Sequence, residues 1–448
     1  MNEAVIAGIH AVVLDRLSRL HSEDGLTAAD ERQRVRSWIG QELVSEATRR
    51  SDAGVPQLTA AEEAIVLRRV ENAIWGLGML QEILDNPDIE DVYITGCDPP
   101  LVRFRDGVIR RAKDGLAESD AALIEQIQFI AGHHATSERA FSPSQPFLNM
   151  RLPDGSRLAA IRDVARRPTV TIRRHRVAHL TLSDLAGMGT LSAQIGEFIC
   201  AVVRARGNIA FTGAPGVGKT TLMRCAAREI PATERIATLE TEFELGLADL
   251  ANASPLLIAL EARPGSTEAD PKTGHRAGEI TLSDLVHQVL RMSVTRVVVG
   301  EVRGAEALPM LEAMTAGMPG SMCTLHAGSA GEAFERLVTA AMKGAGHGWS
   351  DAFVTRLAAQ GIDYVVHMRQ VDHPALGGQR RIVSEVAEVA GVTETGVVAL
   401  NRIFAPDPSG TDPRAVFRML PQNRAPFEEA GIDLAALLLP ANGQVRVR

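Results

Sequence analysis

Through the first fifty residues, apolar side chains recur at helical spacing. Val5, Ile9, Val12, Val13, Leu17 and Leu20 fall on one stripe. That predicts an N-terminal helical segment over 1–55, closed by the linker-like run Ser51-Asp52-Ala53-Gly54-Val55-Pro56. Thr59, followed three residues later by Glu62, forms a capping box, and a helix is expected from there to about Leu84. The period then shortens to two. Val92-Tyr93-Ile94, Leu101-Val102-Arg103-Phe104, Leu158 to Ile161 and Val170 to Ile172 read as strands. Asp106-Gly107 reads as a turn back toward Val108-Ile109, and Ser119 to Ala131 as a helix. These pieces predict a small mixed α/β domain over 59–180, with Pro143, Pro146 and Pro153 in its loops.

Thr181 to Thr190, containing Gly187 and Gly189, is the expected interdomain linker. The tetrad Thr-Leu-Ser-Asp begins at Thr181 and again at Thr281. Each copy precedes a helical pattern, so capping chemistry accounts for it better than an internal repeat. From Leu191 onward, helical stretches alternate with short apolar runs. Asn208–Thr212, Arg235–Leu239, Leu256–Leu260, Arg296–Gly300 and Met322–Leu325 are the strand candidates. The alternation predicts a largely parallel sheet with crossover helices over 191–448. Tyr364–Met368, Ile382–Val392 and Val397–Phe404 read as an antiparallel extension, and Phe427 to Leu439 as a docking helix.

Composition narrows the class. A chain of 448 residues is too long for one ordinary core. It is 45% hydrophobic and 23% charged, the balance of a globular protein. A net charge of −8 argues against a surface that wraps nucleic acid, so no direct nucleic-acid partner is expected. Cys97, Cys200, Cys225 and Cys323 are scattered, which indicates neither a zinc site nor a disulfide framework and fits a reducing cytosol. The apolar run from Val5 to Leu14 follows Glu3 and has no basic flank, so it reads as an amphipathic helix and not a secretory leader. No uninterrupted apolar stretch reaches membrane-spanning length, and any membrane role is expected to come through partners.

One motif carries chemistry by itself. Gly213-Ala214-Pro215-Gly216-Val217-Gly218-Lys219-Thr220 fits G-x-x-x-x-G-K-[ST], the phosphate-cradling P-loop. Its glycines let successive backbone N–H groups turn inward around an anion. Lys219 adds a point charge at the β/γ-phosphates, and Thr220 offers a hydroxyl to Mg²⁺. The run lies between the strand candidate Asn208–Thr212 and a helical stretch from Thr221, where free N–H groups and the helix dipole hold a phosphate. ATP and Mg²⁺ are therefore the expected ligands. The strand candidate Arg296–Gly300 ends in Glu301, a carboxylate where such an enzyme needs one to hold Mg²⁺ through water or to orient the attacking water.

Around this acid the chain resembles a known family. Glu301-Val302-Arg303-Gly304-Ala305-Glu306-Ala307 is similar to the Walker B segment of the type II/type IV secretion ATPases. Leu239-Glu240-Thr241-Glu242-Phe243-Glu244-Leu245 resembles their acidic Asp box, and Gly320-Ser321-Met322-Cys323-Thr324-Leu325-His326-Ala327 their His box. Leu260-Glu261-Ala262-Arg263-Pro264 and Leu290-Arg291-Met292 are also similar to family segments. The resemblance runs from about Leu80 to Val392. Leu152-Pro153-Asp154-Gly155-Ser156-Arg157 and Thr171-Ile172-Arg173-Arg174 look like the tight-adherence (Flp) pilus branch.

The resemblance implies a RecA-like P-loop ATPase domain, preceded by a small α/β domain and working as a hexameric ring, as relatives do. It implies an ATP hydrolase on the cytoplasmic face of the inner membrane. Such a motor powers pilus assembly or protein secretion through a membrane platform protein. Glu301 then positions the attacking water, Glu240 and Glu244 stand near Mg²⁺ and water, and His326 senses the γ-phosphate. Thr220 and Glu240 are the expected metal contacts, and Gly213 to Thr221 the nucleotide contacts. Arg157, Arg173 and Arg174 lie where relatives supply arginines to the nucleotide. Taken without the motif, His326 reads as a core histidine, and Arg173 and Arg174 as a solvated strand edge.

The chain also departs from the family pattern. Thr241 stands where an Asp is usual, Ala316-Gly317-Met318 replaces Thr-Gly-His, Ser293-Val294-Thr295 replaces Arg-Pro-Asp, and Pro309 replaces an acid. Thr241 and Met318 motivate one rival, a nucleotide-gated interaction module with little turnover. A second rival is a conjugation-type transfer ATPase, although the acidic balance speaks against direct DNA handling.

Overall fold

Capping boxes and glycines set most element boundaries in the computed structural model. It describes residues 3–20, 28–104, 106–134, 141–174, 180–248, 250, 253–263, 265, 276–345 and 349–439. Pro264, quoted above, lies outside them. The chain divides into two units, Met1–Arg176 and Val177–Arg448.

The first unit begins with three helices, α1 (Glu3–Leu20), α2 (Ala28–Asp52) and α3 (Ala60–Trp75). Ile6, Ile9, Val13 and Leu17 of α1 pack with Val35 and Ile39 of α2 and with Val66, Val70 and Ile74 of α3. The helical cluster therefore reaches to residue 75 and not 55. Thr59 and Glu62 do form the capping box of α3. The helix expected to run on to Leu84 breaks, because Gly78 sits at φ +59°, a conformation that Cβ-bearing residues disfavour. A short α4 (Met79–Leu84) follows.

Next come β1 (Ile89–Thr95), β2 (Leu101–Phe104), β3 (Ile109–Arg111), α5 (Asp120–His134), β4 (Phe147–Arg151), β5 (Arg157–Ile161) and β6 (Thr169–Arg173). They make a six-stranded sheet of order β3-β2-β1-β6-β5-β4 with antiparallel neighbours. Leu80 and Leu84 of α4 and Leu123, Ile127 and Ile130 of α5 cover one face, against Val92, Ile94, Leu158 and Ile172. Strand β4 was not foreseen: its alternation is real, but Phe147 points outward and Pro146 precedes it.

The second unit opens with α6 (Leu182–Gly187), which occupies the expected linker 181–190. That expectation is corrected. Thr181 and Asp184 form a capping box, and Leu182, Leu185 and Leu191 are buried in the core, so the segment belongs to the second unit. The second Thr-Leu-Ser-Asp copy caps a helix in the same way.

The elements that follow are α7 (Ala193–Arg204), β7 (Ile209–Gly213), α8 (Lys219–Ala227), β8 (Ile236–Glu240), β9 (Ile258–Glu261), α9 (Leu282–Val289) and β10 (Arg296–Val299). After them come α10 (Ala307–Thr315), β11 (Met322–Leu325), α11 (Ala330–Ala345), α12 (Asp351–Gly361), β12 (Tyr364–His373), β13 (Gly378–Val392), β14 (Val398–Pro406) and β15 (Ala415–Phe417). Two short helices, α13 (Ala425–Glu429) and α14 (Leu434–Leu438), close the described chain.

The nine strands lie in the order β15-β14-β13-β12-β7-β11-β10-β8-β9. Pairs from β12 to β9 are parallel, and those from β12 to β15 antiparallel. Strand β7 is buried throughout and alternates between two cores. Ile209 and Phe211 face α6, α7 and α8, while Ala210 faces the side of α9 to α12. Phe427, Leu434 and Leu438 complete the first of these cores, so the docking helix expected over 427–439 is present as two short helices.

Candidate active site

The parallel topology brings the ends of β7, β8, β10 and β11 to one edge of the sheet. From β7 the chain turns through Gly213 (φ +144°), Gly216 (φ +75°) and Gly218 (φ +99°) into α8. An added Cβ on Gly213 would lie 2.4 Å from the Met368 carbonyl oxygen of β12, so only glycine fits there. Buried Val217 anchors the loop in the core, while Ala214, Pro215 and Gly216 are exposed. Lys219, Thr220 and Thr221 form the first turn of α8, with Lys219 buried and the two threonines half-buried.

The Lys219 ammonium donates to the Ala214 carbonyl (2.9 Å) and lies 3.0 Å from Nδ1 of His326. The same Nδ1 lies 3.3 Å from the Gly213 carbonyl, so it faces one group that only donates and one that only accepts. Nε2 is 2.7 Å from Oε1 of Glu301. The other carboxylate oxygen of Glu301 accepts from Arg303. One histidine thus bridges the P-loop lysine and the acid that follows β10. Burial lowers the Lys219 pKa, partly opposed by the charge of Glu301. Burial also pushes the Glu301 carboxyl up. The Arg303 hydrogen bond, with the charges of Arg303, His326 and Lys219, outweighs it and holds the carboxyl below its ordinary range.

Glu240, at the end of β8, is 2% exposed and has the opposite shift. Burial pushes its pKa up to about 6, although its Oε2 accepts the backbone N–H groups of Glu244 and Leu245, each at 2.7 Å. Glu240 therefore shapes the loop that carries Glu244. An added Cβ on Gly300 would lie 3.1 Å from Glu240 Cγ, so this glycine admits the acid beside the β10 terminus. Glu244 sits within electrostatic range of Lys219, Glu240 and Arg303. Two acids at one site with pKa values driven apart is the arrangement from which distinct acid and base roles are drawn.

Of the arginines expected to face a nucleotide, Arg157 and Arg173 are register partners on one face of the first unit's sheet. Arg174 does not join them. Being next in sequence it points the other way, and its guanidinium donates to the Asn86 carbonyl at 2.6 Å.

Three residues escaped the sequence reading. Arg303 lies inside the quoted motif, but its grip on Glu301 is a tertiary contact. Arg224 follows Thr220 by four residues on α8 and is 5% exposed, within electrostatic range of Glu240 and Glu244. Only helical phase from Thr220 pointed to it. His367 on β12 meets Thr212 on β7 at 2.8 Å, directly beneath the P-loop. Burial depresses its pKa to about 4, so it is neutral there.

The family model for the type II/IV secretion system protein family matches residues 60–376. The chain belongs to this family. Among its relatives, a putative conjugal transfer protein of Mycobacterium tuberculosis is 29% identical over 370 residues, covering 80% of this chain and 97% of that one. The type IV secretion system protein VirB11 of Brucella suis is 30% identical over 275 residues, 56% of this chain and 73% of VirB11. The solved structure of the Legionella pneumophila ATPase DotB matches with a TM-score of 0.50 at 21% identity, covering 69% of this chain and 79% of that one. That likeness supports the α/β secretion-ATPase fold. No helix among the described residues is long and apolar enough to cross a membrane.

Proposed function

We propose that this secretion-family protein is a Mg²⁺-dependent ATP hydrolase acting as a hexameric ring motor on the cytoplasmic face of a membrane. The observation that carries the reading is the bridge from Lys219 through His326 to Glu301. It links the residue that holds the terminal phosphates to the residue that handles the water, through a side chain placed to respond to both.

Each group has a task. The P-loop backbone and Lys219 take up the triphosphate. Ionised Glu301 orients the water and draws its proton, while His326 reports the γ-phosphate to it. Glu240 and Glu244 line the same edge. Arg157 and Arg173 are proposed phosphate contacts from the first unit, neutralising charge that develops on transfer.

The described residues contain no group of three or more His, Cys, Asp or Glu able to hold a metal alone. Thr220 with water-bridged acids suits Mg²⁺ that arrives with the nucleotide and neutralises its phosphate charge. Thr241 is exposed beside Glu240 at the end of β8, whereas the other family departures fall on scaffold positions. Met318 is buried in the core, Thr295 bonds to Glu234 and the Arg235 carbonyl, and Pro309 is buried in the first turn of α10. This favours an enzyme over a module with little turnover.

The load we propose is a membrane platform protein of a pilus or secretion machine, with the tight-adherence branch favoured by the segments at 152–157 and 171–174. A conjugation-type role is the second reading, favoured by the mycobacterial relative. It requires salt-sensitive DNA binding by the purified protein.

Steady-state phosphate release tests the enzyme. Lys219→Ala is expected to lose turnover and nucleotide affinity together. Glu301→Gln is expected to lose roughly 10²-fold or more in kcat while still binding nucleotide. A wild-type protein that is assembled yet releases no phosphate overturns the reading.

A further inference from the structure

The open face of the six-stranded sheet carries a line of charge across five strands. Arg151, Arg157, Arg173, Asp91 and Arg103 stand opposite one another in register on β4, β5, β6, β1 and β2. Four guanidinium groups share the row with one carboxylate. Glu90 also lies 3.4 Å from Arg103. Arginine opposite arginine, as at 151/157 and 157/173, is nevertheless a cross-strand pairing that like charge disfavours.

Asp91 is 5% exposed although it lies on the face that no helix covers. Its neighbours bury it. The Tyr93 hydroxyl donates to Oδ2 at 3.1 Å, and Nη1 of Arg103 lies 3.3 Å from the same oxygen. Nε of Arg173 lies 3.9 Å from Oδ1. Arg173 therefore turns its inner nitrogen to the carboxylate while its side chain stays 73% exposed. At 3.9 Å the contact is an ion pair and not a hydrogen bond, so the carboxylate draws Arg173 by charge, and the two terminal nitrogens are the ones with which a guanidinium grips a phosphate.

We propose that Asp91 is a positioning residue for phosphate recognition. It anchors Arg173 and Arg103 so that the row, with Arg157 and Arg151, meets the phosphate chain of a nucleoside triphosphate. The proposal rests on the reading that Arg157 and Arg173 contact nucleotide phosphates. It adds Arg103 and Arg151 to the set, and names the group that orients them.

The sign of one substitution separates positioning from bulk charge. Asp91→Asn removes a negative charge from an anion site, which by electrostatics alone tightens triphosphate binding. Loss of the anchor does the opposite. In the full-length protein, Asp91→Asn is expected to lower kcat/KM for ATP about tenfold, mostly through KM, and to weaken binding of a non-hydrolysable analogue. Arg173→Ala is expected to do at least as much. The double variant should lose less than the two single losses combined, because Asp91 acts partly through that arginine and partly through Arg103.

If Arg173→Ala leaves nucleotide kinetics unchanged, the phosphate reading of the row fails, and the proposal with it. If Arg173→Ala is impaired but Asp91→Asn binds tighter, or its loss adds fully to that of Arg173→Ala, positioning alone is overturned. Should Asp91→Asn not fold, Tyr93→Phe takes its place. It keeps every charge and removes the hydroxyl that contacts Asp91 and Arg103. A loss of roughly two- to threefold in kcat/KM that shrinks in the Arg173→Ala background supports the proposal, and no loss overturns it.

Discussion

At the scale of single residues, two glutamates at one edge of the sheet end in opposite protonation regimes. Glu301 is held ionised by Arg303, His326 and Lys219, whereas Glu240 is raised by burial. The linkage sign for Glu240 follows. Its folded pKa of about 6 lies above its ordinary value of 4.5, so the folded state binds its proton more tightly. Its contribution to stability is fully present below pH 4.5 and is lost as pH rises through about 6. Glutamine cannot ionise and keeps an oxygen for the N–H groups of Glu244 and Leu245. Glu240→Gln is therefore expected to gain stability relative to the wild type between pH 4.5 and pH 7.5, by about 2 kcal/mol. Urea unfolding of both proteins at the two pH values measures it. An equal difference at both ends shows that the carboxyl is not shifted.

At the scale of elements, the P-loop is a strand, a turn and a helix locked to a neighbouring strand. The glycines of the turn have separate reasons to be glycine. Gly216 has φ +75° but no atom within 4 Å of an added Cβ, so alanine there meets backbone strain alone. At Gly213 the same Cβ meets the Met368 carbonyl at 2.4 Å and Val217 Cγ2 at 2.9 Å. The carbonyl belongs to a paired strand and cannot yield cheaply, because β12 and β7 are in register from Tyr364 to Met368. Gly213→Ala is expected to cost roughly 2 kcal/mol more than Gly216→Ala. Denaturant midpoints of the two variants decide it. Equal losses show that β12 does not brace the loop.

At the scale of the whole molecule, the candidate groups are distributed over two units. The lysine, histidine and acids lie on the nine-stranded sheet, and the arginine row on the six-stranded one. If arginines complete the site and the active form is a ring, turnover depends on assembly. Phosphate release per chain is expected to rise with protein concentration and to level off where light scattering shows the assembled form. Arg173→Ala is expected to assemble normally yet show little rise. Specific activity that stays constant across dissociation shows that one chain suffices.

Much of the architecture was legible along the chain because its signals are local. A capping box needs residues three apart, a buried strand a short apolar run, and a P-loop eight consecutive residues. Those signals located α3, β7, β10 and the phosphate loop from the letters alone. They failed where the deciding contact is distant. Residues 181–190 read as a linker because their glycines are local, while the cavity that Leu182 and Leu185 fill is built by other helices. Arg173 and Arg174 were indistinguishable neighbours until strand alternation turned one onto the row and the other toward Asn86. The acids were visible as carboxylates, but their charge states were not, since burial and the approach of Arg303 and His326 set them. Local order by itself determined which chemistry the chain carries. Long-range packing alone decided which copies of each residue type meet, because desolvation and strand register exist only once the sheets have formed.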